Sequence, residues 1–148
     1  SLLARRLASR CELAVRECES GEAVTPGTVY LAPGDYHMIV AKEDGVVKLR
    51  THQGPKENFC RPSVDVLFRS VAAVYEGRAL GVILTGMGQD GLKGCEELDA
   101  HGSRIVAQDE ASSVVWGMPA FVARAGLADK ILPLDQIGAE MVRAAGLT

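Results

Sequence analysis

The sequence predicts an α/β fold: a doubly wound, mostly parallel sheet into which an antiparallel β-hairpin or meander is inserted. Two observations carry this prediction. From residue 79 onward, short apolar runs alternate with amphipathic helical patterns, which is typical of parallel β-α units with helices on both faces of a sheet. Between residues 21 and 49, short apolar runs are separated by turn residues, which is typical of antiparallel strands.

The composition indicates a single domain that spans residues 1–148. Of the 148 residues, 47% are apolar and 24% are charged, which is enough to bury one sizeable core. The formal net charge of −3 gives no overall basic field, so nucleic acids and anionic membrane surfaces are poor partner candidates. No apolar run approaches the roughly 18 residues that span a bilayer, and no signal segment opens the chain. We therefore expect a cytoplasmic protein without membrane insertion.

The first half is predicted to open with a helix and to continue with short strands. Leucines recur at helical spacing over the first residues, and residues 11–17 then alternate as in a strand. Further strands are predicted over residues 29–32, 37–41 and 46–49, with turn residues between them. We expect these strands to form the antiparallel meander.

The second half is predicted to begin with a helix over residues 64–75, where apolar residues trace one face after the segment Arg61-Pro62-Ser63. Strands are predicted over residues 79–84 and 104–107 and near Ile131. Helices are predicted over residues 90–100, 118–125 and 135–145. This alternation is the basis of the doubly wound assignment.

A glycine turn at residues 85–91 is the most informative motif, because it joins an apolar strand to a helix. Gly86, Gly88 and Gly91 have the G-x-G-x-x-G spacing of a dinucleotide-binding loop. The Asp109-Glu110 pair follows about 20 residues later, where a ribose-binding carboxylate is expected. A Rossmann-like nucleotide-binding module is therefore one hypothesis.

Asp90, inside the same turn, argues against a nucleotide. Its negative charge lies where a pyrophosphate would bind a helix N-terminus, and the two charges would repel. The carboxyl end of a strand is also where functional groups gather in open α/β sheets, so Asp90 is a candidate catalytic acid. An aspartate in the first turn of a helix is equally a common cap. The residues alone leave the cap and the catalyst both open.

The remaining polar candidates are expected to have structural roles. His37 follows a turn, where a hydrogen-bonding role is favoured over a place in the crevice, and His52 and His101 are expected at the surface. Ser112 and Ser113 are expected to cap a loop rather than to act as nucleophiles.

The four cysteines, Cys11, Cys18, Cys60 and Cys95, are scattered without metal-ligand spacing. We expect buried free thiols, and neither a metal nor a cofactor.

Five stretches together resemble the catalytic domain of the chemotaxis receptor methylesterase family, CheB. They are residues 26–35 with His37, residues 61–68, residues 81–91, residues 107–112, and Gly117-Met118-Pro119. They occur in the family order across nearly the whole chain. The resemblance implies hydrolysis of glutamate methyl esters on the methylated cytoplasmic helices of chemoreceptors, with release of methanol. In many members it also implies deamidation of receptor glutamines.

For the mechanism, the resemblance implies a Ser-His-Asp hydrolase. Asp90 matches the acid of the triad, and the Met87 backbone N–H matches an oxyanion-hole donor. Gly86 and Gly88 would then let the backbone approach the tetrahedral intermediate closely.

The chain also departs from the family pattern. The nucleophilic serine and the triad histidine of the family lie upstream of the segment that matches Ser1, on the first β-α units, and so does the regulatory receiver domain. We therefore expect a partial catalytic domain that is inactive alone, or, as a third hypothesis, a non-catalytic interaction domain. Cys60 stands where a histidine is common in the family.

Overall fold

A computed structural model describes residues 1–146, in which five helices and seven strands alternate along the chain. The helices are α1 (Leu2–Ala8), α2 (Val64–Tyr75), α3 (Leu92–Ala100), α4 (Met118–Arg124) and α5 (Leu134–Ala144). The strands are β1 (Ala14–Glu17), β2 (Thr28–Leu31), β3 (His37–Glu43), β4 (Val46–His52), β5 (Leu80–Ile83), β6 (Arg104–Gln108) and β7 (Lys130–Leu132).

The strand pairing confirms the mixed α/β fold. Strands β5, β6 and β7 form a parallel sheet in that order, and β1 pairs in parallel with β2. Strands β3 and β4 form the antiparallel hairpin, joined by a two-residue turn at Asp44 and Gly45, both of which have positive φ. Such a turn matches the twist of the two strands.

The predicted meander is wrong for β2. This strand pairs in parallel with β1 rather than antiparallel to β3. The segment at residues 21–24 takes the antiparallel place instead, because Gly21 N donates to Leu49 O at 2.7 Å and Val24 N donates to Val47 O at 2.9 Å. Turn residues mark where strands end but not which strands pair, so the sequence pattern could not separate these arrangements.

Helix α2 lies between two layers of the core. One of its faces packs with α3, α4 and the β5–β6 sheet around Leu98 and Ile105, which are 1% and 0% exposed. The other face packs on the β3–β4 hairpin around Met38 and Leu49. Burying one such aliphatic side chain stabilises the fold by about 1.5–3 kcal/mol, so α2 is fixed from both sides.

The parallel sheet places two loops at one edge. Strands β5 and β6 are adjacent and parallel, so the loops that follow them, residues 84–91 and 109–117, leave the sheet side by side. In the described part of the chain, the other edge of β5 pairs with no strand. No helix within residues 1–146 has the length and apolarity needed to cross a bilayer.

Candidate active site

Asp90 lies at the carboxyl end of β5 and is directed at the N-terminus of α2. Its Oδ2 accepts the Val64 N–H at 2.7 Å, and its Oδ1 accepts the Asp65 N–H at 3.1 Å and the Ser63 hydroxyl at 2.7 Å. The first N–H groups of a helix have no partner within the helix, and the helix dipole favours a negative charge there. The carboxylate is therefore held rigidly, with 6% of the residue exposed.

Asp65 makes the reciprocal arrangement at the N-terminus of α3. Its Oδ1 accepts the N–H groups of Gly91 and Gly94 at 2.9 and 2.8 Å, and the residue is 1% exposed. Asp65 of α2 therefore caps the start of α3, and Asp90, in the turn that leads into α3, caps the start of α2.

This pair of caps answers two questions that the sequence left open. Asp90 does not cap its own helix; its partners are the first residues of α2, while α3 begins after Gly91. The N-terminus of α3 is already occupied by the Asp65 carboxylate. A pyrophosphate cannot bind there without displacing a buried carboxylate, so the glycine spacing of Gly86, Gly88 and Gly91 does not form a phosphate site.

Asn58 joins the two carboxylates. Its Nδ2 donates to Asp65 Oδ2 at 2.7 Å and to Asp90 Oδ1 at 2.9 Å. Asn58 lies in a tight turn in which Glu57 and Cys60 exchange backbone hydrogen bonds of 3.1 and 2.9 Å. Asp90 Oδ1 thus accepts three hydrogen bonds and Oδ2 one, which leaves a lone pair of Oδ2 open within residues 1–146.

The glycine turn holds Met87 at the rim of this site. Gly86 O accepts the Met118 N–H at 2.8 Å, and Gly86 N donates to Val115 O at 3.0 Å, so the loop after β6 fixes the start of the turn. Gly88 has φ +93°, a conformation that favours glycine, and a Cβ at Gly86 would lie 2.7 Å from Met118 Sδ, so the Met118 side chain would have to move. Within the described residues, the Met87 N–H donates to no acceptor.

Gln108 ties the two loops together from beneath. Its side chain is fully buried, accepts the Thr85 N–H at 2.8 Å, and donates to Ser112 O at 2.9 Å. One amide therefore fixes both the exit from β5 and the exit from β6.

The histidines have the structural and surface positions that the sequence predicts. His37 is 1% exposed, with Nδ1 accepting the Ser63 N–H at 3.2 Å and Nε2 lying 2.9 Å from Pro55 O. Both of its ring nitrogens are therefore used within the fold. His52 and His101 are exposed, and His101 is the C-cap residue of α3.

The two serines are loop caps, as predicted. The Ser112 hydroxyl donates to Asp109 Oδ1 at 2.6 Å and accepts the N–H of Leu134, at the start of α5, at 3.0 Å. The Ser113 hydroxyl donates to Asp109 O at 2.6 Å. Asp109 therefore binds residues of its own loop, which does not fit the role of a ribose ligand.

The prediction of buried thiols is wrong for two of the four cysteines. Cys18 and Cys95 are buried, but Cys11 and Cys60 are exposed, because Cys11 lies in the connection between α1 and β1 and Cys60 in the turn at residues 57–60. Burial, and secondly the nearby Asp65 charge, raise the pKa of the Cys95 thiol to about 12. Within residues 1–146, no group of three or more histidine, cysteine or acidic side chains has the arrangement of a metal site.

Sequence reasoning missed the residues that hold Asp90 in place. A signal existed for Ser63 and Asp65, since a serine followed by an acidic residue opens the predicted helix at residue 64. No signal existed for Asn58, because its two partners lie 7 and 32 residues away along the chain.

Three exposed apolar side chains lie on the turns and loops next to the site in the chain. Phe59, Val114 and Met87 are 98%, 90% and 83% exposed, which makes them the most exposed large apolar residues in the part of the chain that the structure describes. Phe59 follows Asn58, and Met87 and Val114 lie on the two loops that Gln108 joins. Exposed large apolar side chains are often part of a surface that binds another molecule. We refer to these three residues as the apolar rim.

Comparison with known proteins agrees with this architecture. Residues 1–141 match the family model of the CheB methylesterase. The crystal structure of the Thermotoga maritima CheB methylesterase catalytic domain superposes with a TM-score of 0.94 at 41% identity, covering 96% of this chain and 75% of that one.

Two relatives have names that describe an activity. A protein-glutamate methylesterase/protein-glutamine glutaminase of Trichodesmium erythraeum is 52% identical over 144 residues, covering 97% of this chain and 41% of that protein. A second protein of this name from Caulobacter vibrioides is 55% identical over 137 residues, covering 92% of this chain and 40% of that protein. The chain therefore spans about two fifths of the length of these curated relatives. The family match and the fold together place this chain in the CheB methylesterase family.

Proposed function

We propose that this chain is part of the catalytic domain of a protein-glutamate methylesterase, in which Asp90 is the acid of a Ser-His-Asp triad. The serine and the histidine would be supplied by residues outside this chain. The observation that carries the proposal is the fixed Asp90 carboxylate, which has an open Oδ2 lone pair beside a glycine turn with a free backbone N–H.

In this mechanism Asp90 acts on the histidine and not on the substrate. Its Oδ2 accepts the histidine N–H, which holds the ring in one tautomer and stabilises the imidazolium that forms when the serine gives up its proton. The serine Oγ attacks the ester carbonyl, and the proton passes through the histidine to the departing methanol. Water then cleaves the acyl-enzyme by the same route, leaving the free glutamate side chain.

Met87 would contribute through its backbone. Its N–H, which makes no hydrogen bond within residues 1–146, is available to the oxyanion of the tetrahedral intermediate. Gly86 and Gly88 support this role, because the first is tied to the neighbouring loop and the second gives the turn its positive φ. No metal or cofactor is part of this mechanism.

The apolar rim supports a macromolecular substrate rather than a small ester. Phe59, Met87 and Val114 would contact the protein that carries the ester, and the relatives are named for glutamate and glutamine side chains. We propose the methylated cytoplasmic helices of chemoreceptors as the substrate, with deamidation of their glutamines as a second activity. A regulatory receiver domain upstream and a cytoplasmic location belong to the same proposal.

The test is methanol release from methylated receptor, measured with the 148-residue chain and with the complete gene product. We expect activity only in the complete gene product, and ammonia release from unmodified receptor glutamines alongside it. Methanol release by the 148-residue chain alone would overturn the placement of the serine and histidine outside it.

The exposed rim also favours a second candidate, a non-catalytic interaction domain. In that case the complete gene product would bind the receptor without releasing methanol.

A nucleotide-binding module would gain thermal stability with NAD by RT ln(1 + [L]/Kd), and we expect no such shift.

A further inference from the structure

Asn58 supplies the one side-chain donor that the Asp65 and Asp90 carboxylates share within residues 1–146. Its Nδ2 is 2.7 Å from Asp65 Oδ2 and 2.9 Å from Asp90 Oδ1. An amide nitrogen carries two hydrogens, so each carboxylate receives one of them. Two carboxylates so close repel when both are ionised, and a shared donor offsets that repulsion.

The bridge also decides which Asp90 oxygen remains available. Asn58, Ser63 and the Asp65 N–H all donate to Oδ1, whereas Oδ2 receives only the Val64 N–H. The Ser63, Val64 and Asp65 donors remain without Asn58, but the Asp65 charge would then act on the Asp90 carboxylate with no side-chain donor shared between the two. The Asn58 amide therefore contributes to the orientation of the open Oδ2 lone pair.

The turn that carries Asn58 is held from several directions. Glu57 pairs with Cys60 through backbone hydrogen bonds and with Arg69 of α2 through two side-chain hydrogen bonds of 2.8 and 2.6 Å. Asn58 and Phe59 have φ angles of +54° and +63°. Asparagine adopts this left-handed conformation more readily than most residues, so residue 58 supplies both the turn and the amide.

We infer that Asn58 is a positioning residue that fixes the Asp90 carboxylate with Oδ2 open toward the triad histidine. This inference rests on the proposed function. Asn58 does not touch the substrate in this mechanism; it acts through Asp90.

The experiment compares variants of the complete gene product by the kcat and KM of methanol release. Asn58→Gly keeps the left-handed turn and removes the amide, and Asn58→Asp keeps the size of the side chain but replaces its donor with a carboxylate. We expect both to lower kcat by about 10- to 100-fold, as for small misplacements of catalytic groups, with KM within about twofold. Asp44→Gly, at φ +52° in the β3–β4 turn, is the matched control and should keep kcat within about twofold.

A double-variant cycle separates positioning from general damage to the fold. In an Asp90→Asn background the Oδ2 acceptor is already altered, so Asn58→Gly should cause little further loss of kcat. An equal loss of kcat from Asn58→Gly in both backgrounds would overturn the inference but not the proposed function. The same holds if both Asn58 variants keep kcat within about twofold of the unsubstituted protein. A lack of esterase activity in the unsubstituted protein would instead overturn the proposed function, and the inference with it.

Discussion

The N-termini of α2 and α3 are both capped by an aspartate carboxylate, but the two carboxylates have different roles. Each is capped by an aspartate from the other element, Asp90 for α2 and Asp65 for α3, and Asn58 donates to both carboxylates. Asp65 is 1% exposed, and its backbone donors, the N–H groups of Gly91 and Gly94, are buried. Asp90 is 6% exposed and lies beside the glycine turn and the apolar rim.

A capping hydrogen bond does not by itself show whether a carboxylate has a structural or a catalytic role. The two sites differ in their surroundings: Asp65 is buried between α2 and α3, whereas Asp90 lies beside the glycine turn and keeps an unused Oδ2 lone pair. We therefore expect substitutions at Asp65 to be felt in stability, and those at Asp90 chiefly in activity.

The largest expected effect belongs to Asp90→Asn in the complete gene product. The kcat of methanol release should fall by about 10⁴, the loss seen when the acid of a well-studied triad becomes an amide, because the histidine is no longer held in the working tautomer. Asp65→Asn is the control and should lose far less kcat. Near-normal turnover in Asp90→Asn would remove this residue from the triad.

Asp65→Asn tests the structural half of the comparison. An asparagine oxygen can accept the Gly91 and Gly94 N–H groups, but its NH₂ then faces the Asn58 amide, which loses an acceptor. The free energy of unfolding of the 148-residue chain, from urea denaturation, should fall by about 1–3 kcal/mol. An unchanged midpoint would mean that the Asn58–Asp65 hydrogen bond and the Asp65 charge contribute nothing measurable to stability.

The third prediction concerns the turn beside Asp90. Gly88→Ala places a Cβ at φ +93°, and the left-handed conformation costs about 1–2 kcal/mol for a residue with a side chain. Gly27→Ala, at φ +75° with no atom near its Cβ, should lose similar stability. Only Gly88→Ala should also lower kcat, because it moves the Met87 N–H. Equal kcat values in the two variants would contradict an oxyanion role for this turn.

The last prediction concerns the stability of the fold at alkaline pH. The pKa of Cys95 is raised from an ordinary 9.0 to about 12, by burial first and the Asp65 charge second. The protonated thiol is favoured in the folded state, so this contribution is complete below about pH 9 and is lost as the pH rises toward 12. Cys95→Ala should show a shallower fall of unfolding free energy above pH 9 than Cys60→Ala, which alters an exposed thiol. An equal fall of unfolding free energy with pH in the two variants would contradict the raised pKa of Cys95.

The sequence predicts the parts of this molecule that depend on local pattern. Alternating apolar runs locate the helices and the parallel strands, and the end of β5 indicates Asp90 because the carboxyl ends of strands collect functional groups. Three other features depend on contacts between distant segments: the Asn58 bridge, the pairing of β2 with β1 and the exposure of Cys60. No periodicity within one segment carries that information, so these features appear only when the chain is folded.

The position of α2 between two layers has a consequence for cooperativity. Its two faces complete both hydrophobic clusters, with Val71 packed against each of them. Neither the hairpin layer nor the sheet layer can open without exposing apolar surface of the other, so the two should melt as one unit. Amide hydrogens along α2 should then exchange only through global unfolding. The Asp90 site is anchored on the first turn of α2, so it should persist for as long as the whole domain stays folded.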